Sequence, residues 1–201
     1  MNIAGIFPQP IGMFDLDRKL TKKELDFIKG QDTYPNQGNV TSLNNYLLES
    51  KELKKLWEFC QASLEQYAQA VHCPRADIEV YITQSWSNIT SPGQFHHKHA
   101  HPNSFISGVF YVNADPENDK IYFYNDNYRQ IDVPPTDWNL YNSKSWWFEA
   151  KTGGLILFPS SLTHMVQQVT AKEDRISIAF NTFLKGNLGD NRDLTELKLG
   201  G

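Results

Sequence analysis

The sequence has little cysteine, little net charge and no long apolar run. Cys60 and Cys73 are its only cysteines, too few for a disulfide framework. No stretch approaches the roughly 18 consecutive apolar residues that a membrane-crossing helix needs, so no membrane association is expected. The opening residues, MNIAGIFPQPIGMFDLD, lack a basic segment followed by an apolar run. A secretory signal is therefore not expected, and a cytoplasmic location is. Net charge is −4 and no basic block occurs. Nucleic-acid binding rests on neutralising phosphates, so a nucleic-acid partner is not expected. Repeats and low-complexity tracts are missing too. Asn39-Val-Thr41 and Asn88-Ile-Thr90 match the glycosylation triplet, a coincidence in an intracellular chain.

What is present suits a globular chain rich in strands. Hydrophobic residues make up 40% and aromatic residues 13%, which fits a packed β core or an aromatic-lined pocket. At 201 residues one domain is expected: a supporting N-terminal part (1–75), a strand core (76–185) and a polar tail (186–201). Residues 3–14 read as a strand interrupted by Pro8 and Pro10. Thr21-Lys-Lys-Glu24 fits a capping box opening a short helix that Gly30 ends. Residues 31–42 are polar, contain Pro35 and Gly38, and read as a loop. Leu53, Leu56, Trp57, Cys60, Leu64, Tyr67 and Val71 recur at three- and four-residue steps and predict a helix over 50–71.

From Ile78 the apolar period changes to two, and strands are predicted over 78–88, 94–101, 105–113, 121–126, 155–158, 163–169 and 175–183. Residues 127–147, with Trp138, Trp146 and Trp147, show no period and read as a long loop able to act as a lid. Helices first and strands after indicate an α+β chain. The architecture predicted is a jelly roll, a cupin-like double-stranded β-helix, with N-terminal buttressing helices.

The most informative stretch is QFHHKHAHPNSFISGVFYVN, Gln94 to Asn113, which holds four of the six histidines. His97, His99 and His101 alternate with Lys98 and Ala100, and side chains two apart on a strand share a face. Three imidazoles therefore line one side, and His96 faces away. Histidine is the commonest protein metal ligand, and His-x-His lets one strand supply two of them. His97–His99 and His99–His101 both have that spacing. A further ligand must come from elsewhere; of His72 and His164, His164 is the better placed.

On the last predicted strand Arg175, Ser177 and Ala179 share one face, and Ile176, Ile178 and Phe180 the other. The apolar face should pack on the helices and the Arg face should point into the barrel. A buried guanidinium needs an anion. It binds carboxylate as a bidentate fork, and the Ser hydroxyl can add a hydrogen bond. An organic acid in the barrel would satisfy both.

His-x-His, a distant His and Arg-x-Ser, taken together, resemble the non-haem Fe(II), 2-oxoglutarate-dependent oxygenases, in particular a family of small members from bacteria and phages. The motifs are Trp86-Ser-Asn88, His99-Ala-His101-Pro-Asn-Ser104, Ser107-Gly-Val-Phe-Tyr111, Leu157-Phe-Pro-Ser160 with His164, and Arg175-Ile-Ser177 with Asn181. His164 and Arg175 are 175 − 164 = 11 positions apart, a spacing similar to that superfamily's. The resemblance covers residues 80–183. It implies Fe(II) on His99, His101 and His164, with 2-oxoglutarate held by Arg175 and Ser177. Tyr111 and Asn88 are further candidates for cosubstrate contact. It also implies O2 as co-reactant, succinate and CO2 as products, and oxidation of a C–H bond in a primary substrate that the motifs leave unspecified. A homodimer is compatible with it.

One place departs from the pattern. The superfamily reads His-x-Asp or His-x-Glu, a 2-His-1-carboxylate triad, whereas His101 stands where the carboxylate would be. Imidazole-only ligation lets copper, nickel and zinc compete better. Two alternatives follow: a three-histidine cupin-like metalloenzyme not using 2-oxoglutarate, with Arg175 anchoring its substrate, and a non-catalytic module that binds a small acid or a metal.

Overall fold

The computed structural model describes residues 1–126 and 131–200. Strand β1 (Gly12–Asp15) leads into helix α1 (Lys22–Lys29), a hairpin of β2 (Thr33–Pro35) and β3 (Val40–Ser42), and the long helix α2 (Lys54–His72). Strands follow: β4 (Glu79–Thr90), β5 (His96–His99), β6 (Ile106–Asn113), β7 (Lys120–Tyr124), β8 (Ser145–Glu149), β9 (Gly154–Pro159), β10 (His164–Val166), β11 (Arg175–Leu188) and β12 (Leu197–Leu199). Among the described residues no helix is long and apolar enough to cross a membrane.

Two antiparallel sheets result. The larger has the order β1-β9-β6-β11-β4-β3-β2, with β12 paired to β11; the smaller runs β5-β10-β7-β8. This is the two-sheet jelly roll expected from the order of the elements, with both helices ahead of the strand core. The predicted capping box also forms at α1. Thr21 Oγ1 accepts from the Glu24 backbone N–H, and the Glu24 carboxylate takes the Thr21 N–H and a fork from Arg18 at 2.6 and 2.9 Å.

β11 occupies the centre of the larger sheet, between β6 and β4. Its period of two sorts its side chains between two environments. Ile176, Ile178 and Phe180 turn outward into a core with Phe110, Leu155 and Leu157, covered by Leu56, Cys60 and Leu64 of α2. On that helix Tyr67 is buried as well, while Trp57 and Val71 lie at the edge of the stripe and remain exposed. Gly108 of β6 stands opposite Phe180 in the ladder. A Cβ there would come 2.1 Å from the Phe180 ring, so glycine is what lets the aromatic ring lie across β6.

Four segments differ from the sequence-based expectation. Only Gly12–Asp15 of the first predicted strand pairs, against β9; Pro8 and Pro10 have no N–H to give a ladder. The polar segment 31–42 is not a loop but the β2–β3 hairpin, added to the sheet through Val40↔Ile89 and Thr41↔Asn88. In the Trp-rich stretch, Ser145–Glu149 pairs with β7 and puts Trp146 and Trp147 on a sheet edge; residues 127–130 lie outside the described residues. β11 runs past position 185 to Leu188, and part of the tail returns to it as β12.

The Gly108–Phe180 contact gives a direct test. Gly108→Ala should lower the free energy of unfolding by about 1–3 kcal/mol through overpacking. Combined with Phe180→Leu, which vacates the space, the loss should be smaller than the sum of the two single losses. Urea denaturation measures all three variants, and strict additivity would mean that the two positions do not share space.

Candidate metal and anion site

The inner faces of β4, β6 and β11 meet a cavity of about 420 Å³. The ladder registers Ser177↔Asn88 and Ala179↔Trp86 put these side chains on one wall, while Tyr111, opposite Ser177, is buried in the core beside Arg175 and does not line the cavity. The opposite wall is the smaller sheet, where His99 of β5 is the cross-strand partner of His164 of β10. His101 follows β5, its backbone N–H held by the Ser160 carbonyl at 2.9 Å.

His99, His101 and His164 converge, with one potential ligand atom from each lying within 4.8 Å of the others. Each ring has its Nδ1 tied to an acceptor. His99 Nδ1 donates to the His97 carbonyl at 2.7 Å, and His164 Nδ1 to the Leu162 carbonyl at 3.0 Å. His101 Nδ1 donates to Asn181 Oδ1 at 2.6 Å. An Nδ1 that donates fixes the tautomer and leaves Nε2 as the free lone pair, the usual arrangement behind a metal-binding imidazole. His101 Nε2 is buried and has no partner. Three neutral nitrogens therefore face a common point with nothing to bond, and a divalent transition metal fits them.

Behind this trio is a hydroxyl chain. Ser107 Oγ lies 2.8 Å from Ser160 Oγ and donates to Asn181 Oδ1 at 3.4 Å. Ser160 Oγ donates to Ser104 Oγ at 2.7 Å. The chain orients Asn181, which orients His101, while Trp86 stacks on the His101 ring at 5.9 Å between centroids. Asn181 continues the 175, 177, 179 alternation by one step, which was the signal for it in the sequence.

Arg175 is 2% exposed and makes no ion pair among the described residues. Its Nε is buried without a partner, so Glu173 and Asp174 do not neutralise it. Ser177 and Asn88 are buried beside it in the ladder, and Asn88 Oδ1 also lacks a partner. Tyr111 Oη makes no hydrogen bond of good geometry. Burial pushes its phenol pKa up, and the nearby Arg175 guanidinium, 5.1 Å from the ring centroid, opposes that rise. A buried cation with unsatisfied donors is costly, and an organic carboxylate in this part of the cavity fits it.

Two sequence expectations need correction. His96 does not face away from the cavity. β10 advances from His164 to Val166 while β5 goes from His99 to His96, so β5 carries one extra residue, a β-bulge that breaks the alternation. His96 turns inward and stacks on His99 at 4.7 Å. Among the described residues of the Trp-rich stretch, Trp138, Trp146 and Trp147 do not line the cavity either. Tyr34 and Asn36 of the β2–β3 hairpin line it instead, in a segment whose polar sequence gave no strand signal.

Burial holds the imidazoles neutral: it lowers the pKa of His96 to about 2, of His164 to about 3 and of His99 to about 4, and lowers that of His101. An unfolded chain takes up these protons below about pH 6.5, and the folded one does not. Stability therefore falls as pH drops from about 6.5 toward 4. A second loss follows at lower pH, when Glu24, held at about 2 against burial by the Arg18 fork, is protonated. The urea midpoint of metal-free protein should thus be lower at pH 5 than at pH 7; a flat profile across that window would show the rings to be solvated.

Residues 84–181, which contain every group in this site except the hairpin, match the sequence model of a family described as "Putative 2OG-Fe(II) oxygenase". No curated protein matches the chain in sequence. Solved structures share its fold. A 2OG-Fe(II) oxygenase family oxidoreductase from Burkholderia pseudomallei is 14% identical over 78% of this chain and 73% of that one, with a TM-score of 0.55. HygX from Streptomyces hygroscopicus, solved with nickel, 2-oxoglutarate and hygromycin B bound, is 10% identical over 87% and 82%, with a TM-score of 0.58. A prolyl hydroxylase from Trichoplax adhaerens, in complex with a hypoxia inducible factor peptide fragment, is 12% identical over 86% and 83%, also with a TM-score of 0.58. At these identities the structures speak for the fold, the double-stranded β-helix. Residues 84–181 thus carry the sequence pattern of that family, and the chain has the fold that these oxygenase structures share.

Proposed function

We propose that the protein is an Fe(II)- and 2-oxoglutarate-dependent oxygenase with a three-histidine metal site. His99, His101 and His164 hold the metal through Nε2, and Arg175 with Ser177 holds the distal carboxylate of 2-oxoglutarate. The observation that carries this reading is the pairing of two unsatisfied sets in one cavity: three free imidazole nitrogens and a buried guanidinium without a counter-ion. One molecule with a chelating keto acid at one end and a carboxylate at the other answers both.

Bound Fe(II) and 2-oxoglutarate supply the oxidative chemistry, in which O2 is consumed, the cosubstrate becomes succinate and CO2, and a substrate C–H bond is oxidised. The protein's own groups orient and exclude water. The carbonyls of His97 and Leu162 and the amide of Asn181 keep the three rings aimed. Arg175 fixes the far end of the cosubstrate, Tyr111 and Asn88 stand beside it with unsatisfied oxygens, and the primary substrate enters past Tyr34 and Asn36. Imidazole ligands leave the charge of Fe(II) uncompensated; the chelating carboxylate of 2-oxoglutarate would offset one unit of it, the other carboxylate being balanced by Arg175.

A second reading rests on one observation, the lack of a carboxylate in the ligand trio. It is a cupin-like metalloenzyme whose own substrate sits on Arg175, with zinc, copper or nickel as the metal.

Anaerobic titration with Fe(II) and 2-oxoglutarate separates the two. Wild type should develop a weak visible charge-transfer band, and its absence with tight zinc favours the second reading. Arg175→Met should weaken 2-oxoglutarate binding by about one to two orders of magnitude, from a charged hydrogen bond of about 1.5–3 kcal/mol. Arg175→Lys should recover part of it, since an ammonium cannot make the fork. Equal affinity in all three proteins would remove 2-oxoglutarate from this strand. His101→Asp restores the usual carboxylate and should keep the band; a folded variant without it would mean that the site requires three imidazoles.

A further inference from the structure

Five of the six histidines line one cavity, and the proposed oxygenase site uses three of them. Alternation puts His97 on the same side as His99, and the bulge in β5 brings His96 there too. One potential ligand atom from each of His96, His97 and His99 lies within 4.8 Å of the others, and the ring centroids are 4.7 to 5.2 Å apart. We propose that His96, His97 and His99 form a second transition-metal site that shares His99 with the first, so that only one of the two sites is filled at a time.

Three details of the hydrogen bonding support it. His97 Nδ1 is buried and has no partner, a lone polar atom aimed at nothing the protein supplies. His96 Nε2 faces Asn36 Nδ2 at 3.4 Å. An amide N–H only donates, so His96 Nε2 is the unprotonated nitrogen, and a contact at the outer limit of hydrogen bonding is readily displaced. His99 Nδ1 is committed to the His97 carbonyl at 2.7 Å, which leaves His99 one nitrogen for one ion. That single nitrogen makes the two sites exclusive. Lys98, the cation nearest in sequence, is drawn away to Asp126 at 2.7 Å.

The ligand chemistry sets the class of ion. Three imidazoles with no oxygen donor suit zinc, copper or nickel and discriminate against magnesium, calcium and manganese. His96 contacts Asn36 of the hairpin, so this site lies on the hairpin side of the first. An ion held there takes His99 from the first trio and leaves His101 and His164 as a pair. Zinc would thereby block the first site by removing a ligand, without occupying the place of Fe(II).

The test is equilibrium dialysis with Zn2+ alone, followed by metal analysis, on the full-length chain. It needs neither O2 nor 2-oxoglutarate, so its failure leaves the oxygenase reading standing, and failure of that reading leaves this test intact. Wild type should hold one Zn2+. The paired variant His101→Gln/His164→Gln, which breaks the first trio, should still hold one. Adding His96→Ala and His97→Ala should weaken that binding at least about 100-fold, since loss of even an outer partner of a ligand costs 10- to 100-fold. Circular dichroism checks folding, and if the paired variant does not fold, His164→Gln alone carries the same comparison. Three results would overturn the proposal: a folded first-site variant that holds no Zn2+, retained binding after His96 and His97 are removed, or two Zn2+ in wild type.

Discussion

The alternation along β11 is the constraint on which the rest of the molecule depends. Its odd-numbered side chains from Arg175 to Ala179, with Asn181, face the cavity, and its even-numbered ones face the helices. A shift of register by one residue would put Ile178 among the histidines and Arg175 against α2. Packing guards against that shift. Phe180 lies over Gly108 and the aliphatic face is sealed by Leu56, Cys60 and Leu64, so slipping would expose apolar surface and bury charge at once. Stability and site geometry thus rest on the same strand, and the core holds the guanidinium in the cavity.

The cavity itself is electrostatically unfinished. Its histidines are neutral because burial makes their charged forms costly, and its arginine is charged without a neighbour to balance it. The carboxylate of Asp119 is buried, and burial raises its pKa against the Asp115 N–H and the Arg175 charge, but Asp119 and Arg175 form no ion pair. Folding thus holds a set of groups whose bonding is incomplete without a ligand, and the α2 core supplies the stability that makes this tolerable.

Much of this arrangement was legible from periodicity. The Leu56–Cys60–Leu64–Tyr67 stripe and the two faces of 175–180 follow from spacing, whereas the grouping of His164 with His99 and His101 came from the family resemblance. What was not legible depends on partners distant in sequence. The β2–β3 hairpin has no apolar pattern of its own and is a strand only because β4 offers Ile89 and Asn88 an edge to fill. Ser145–Glu149 looked irregular because its tryptophans lie on a half-exposed edge where alternation does not matter. His96 was misread because a period of two assumes an uninterrupted ladder, and the bulge is visible only once β10 is laid beside β5.

That bulge has a wider consequence. The number of imidazoles facing the cavity is a property of backbone slack as much as of composition. In a regular strand His96 and Lys98 would lie on one face with His97 and His99 on the other, and a lysine would stand level with the histidines that face solvent. One additional residue of β5 between two ladder pairs brings His96 inward, while Lys98 stays outward and pairs with Asp126. Insertion or deletion of a single residue in this edge strand, where few other contacts resist it, is a route by which such a site can change its ligand count with no change in the histidines themselves.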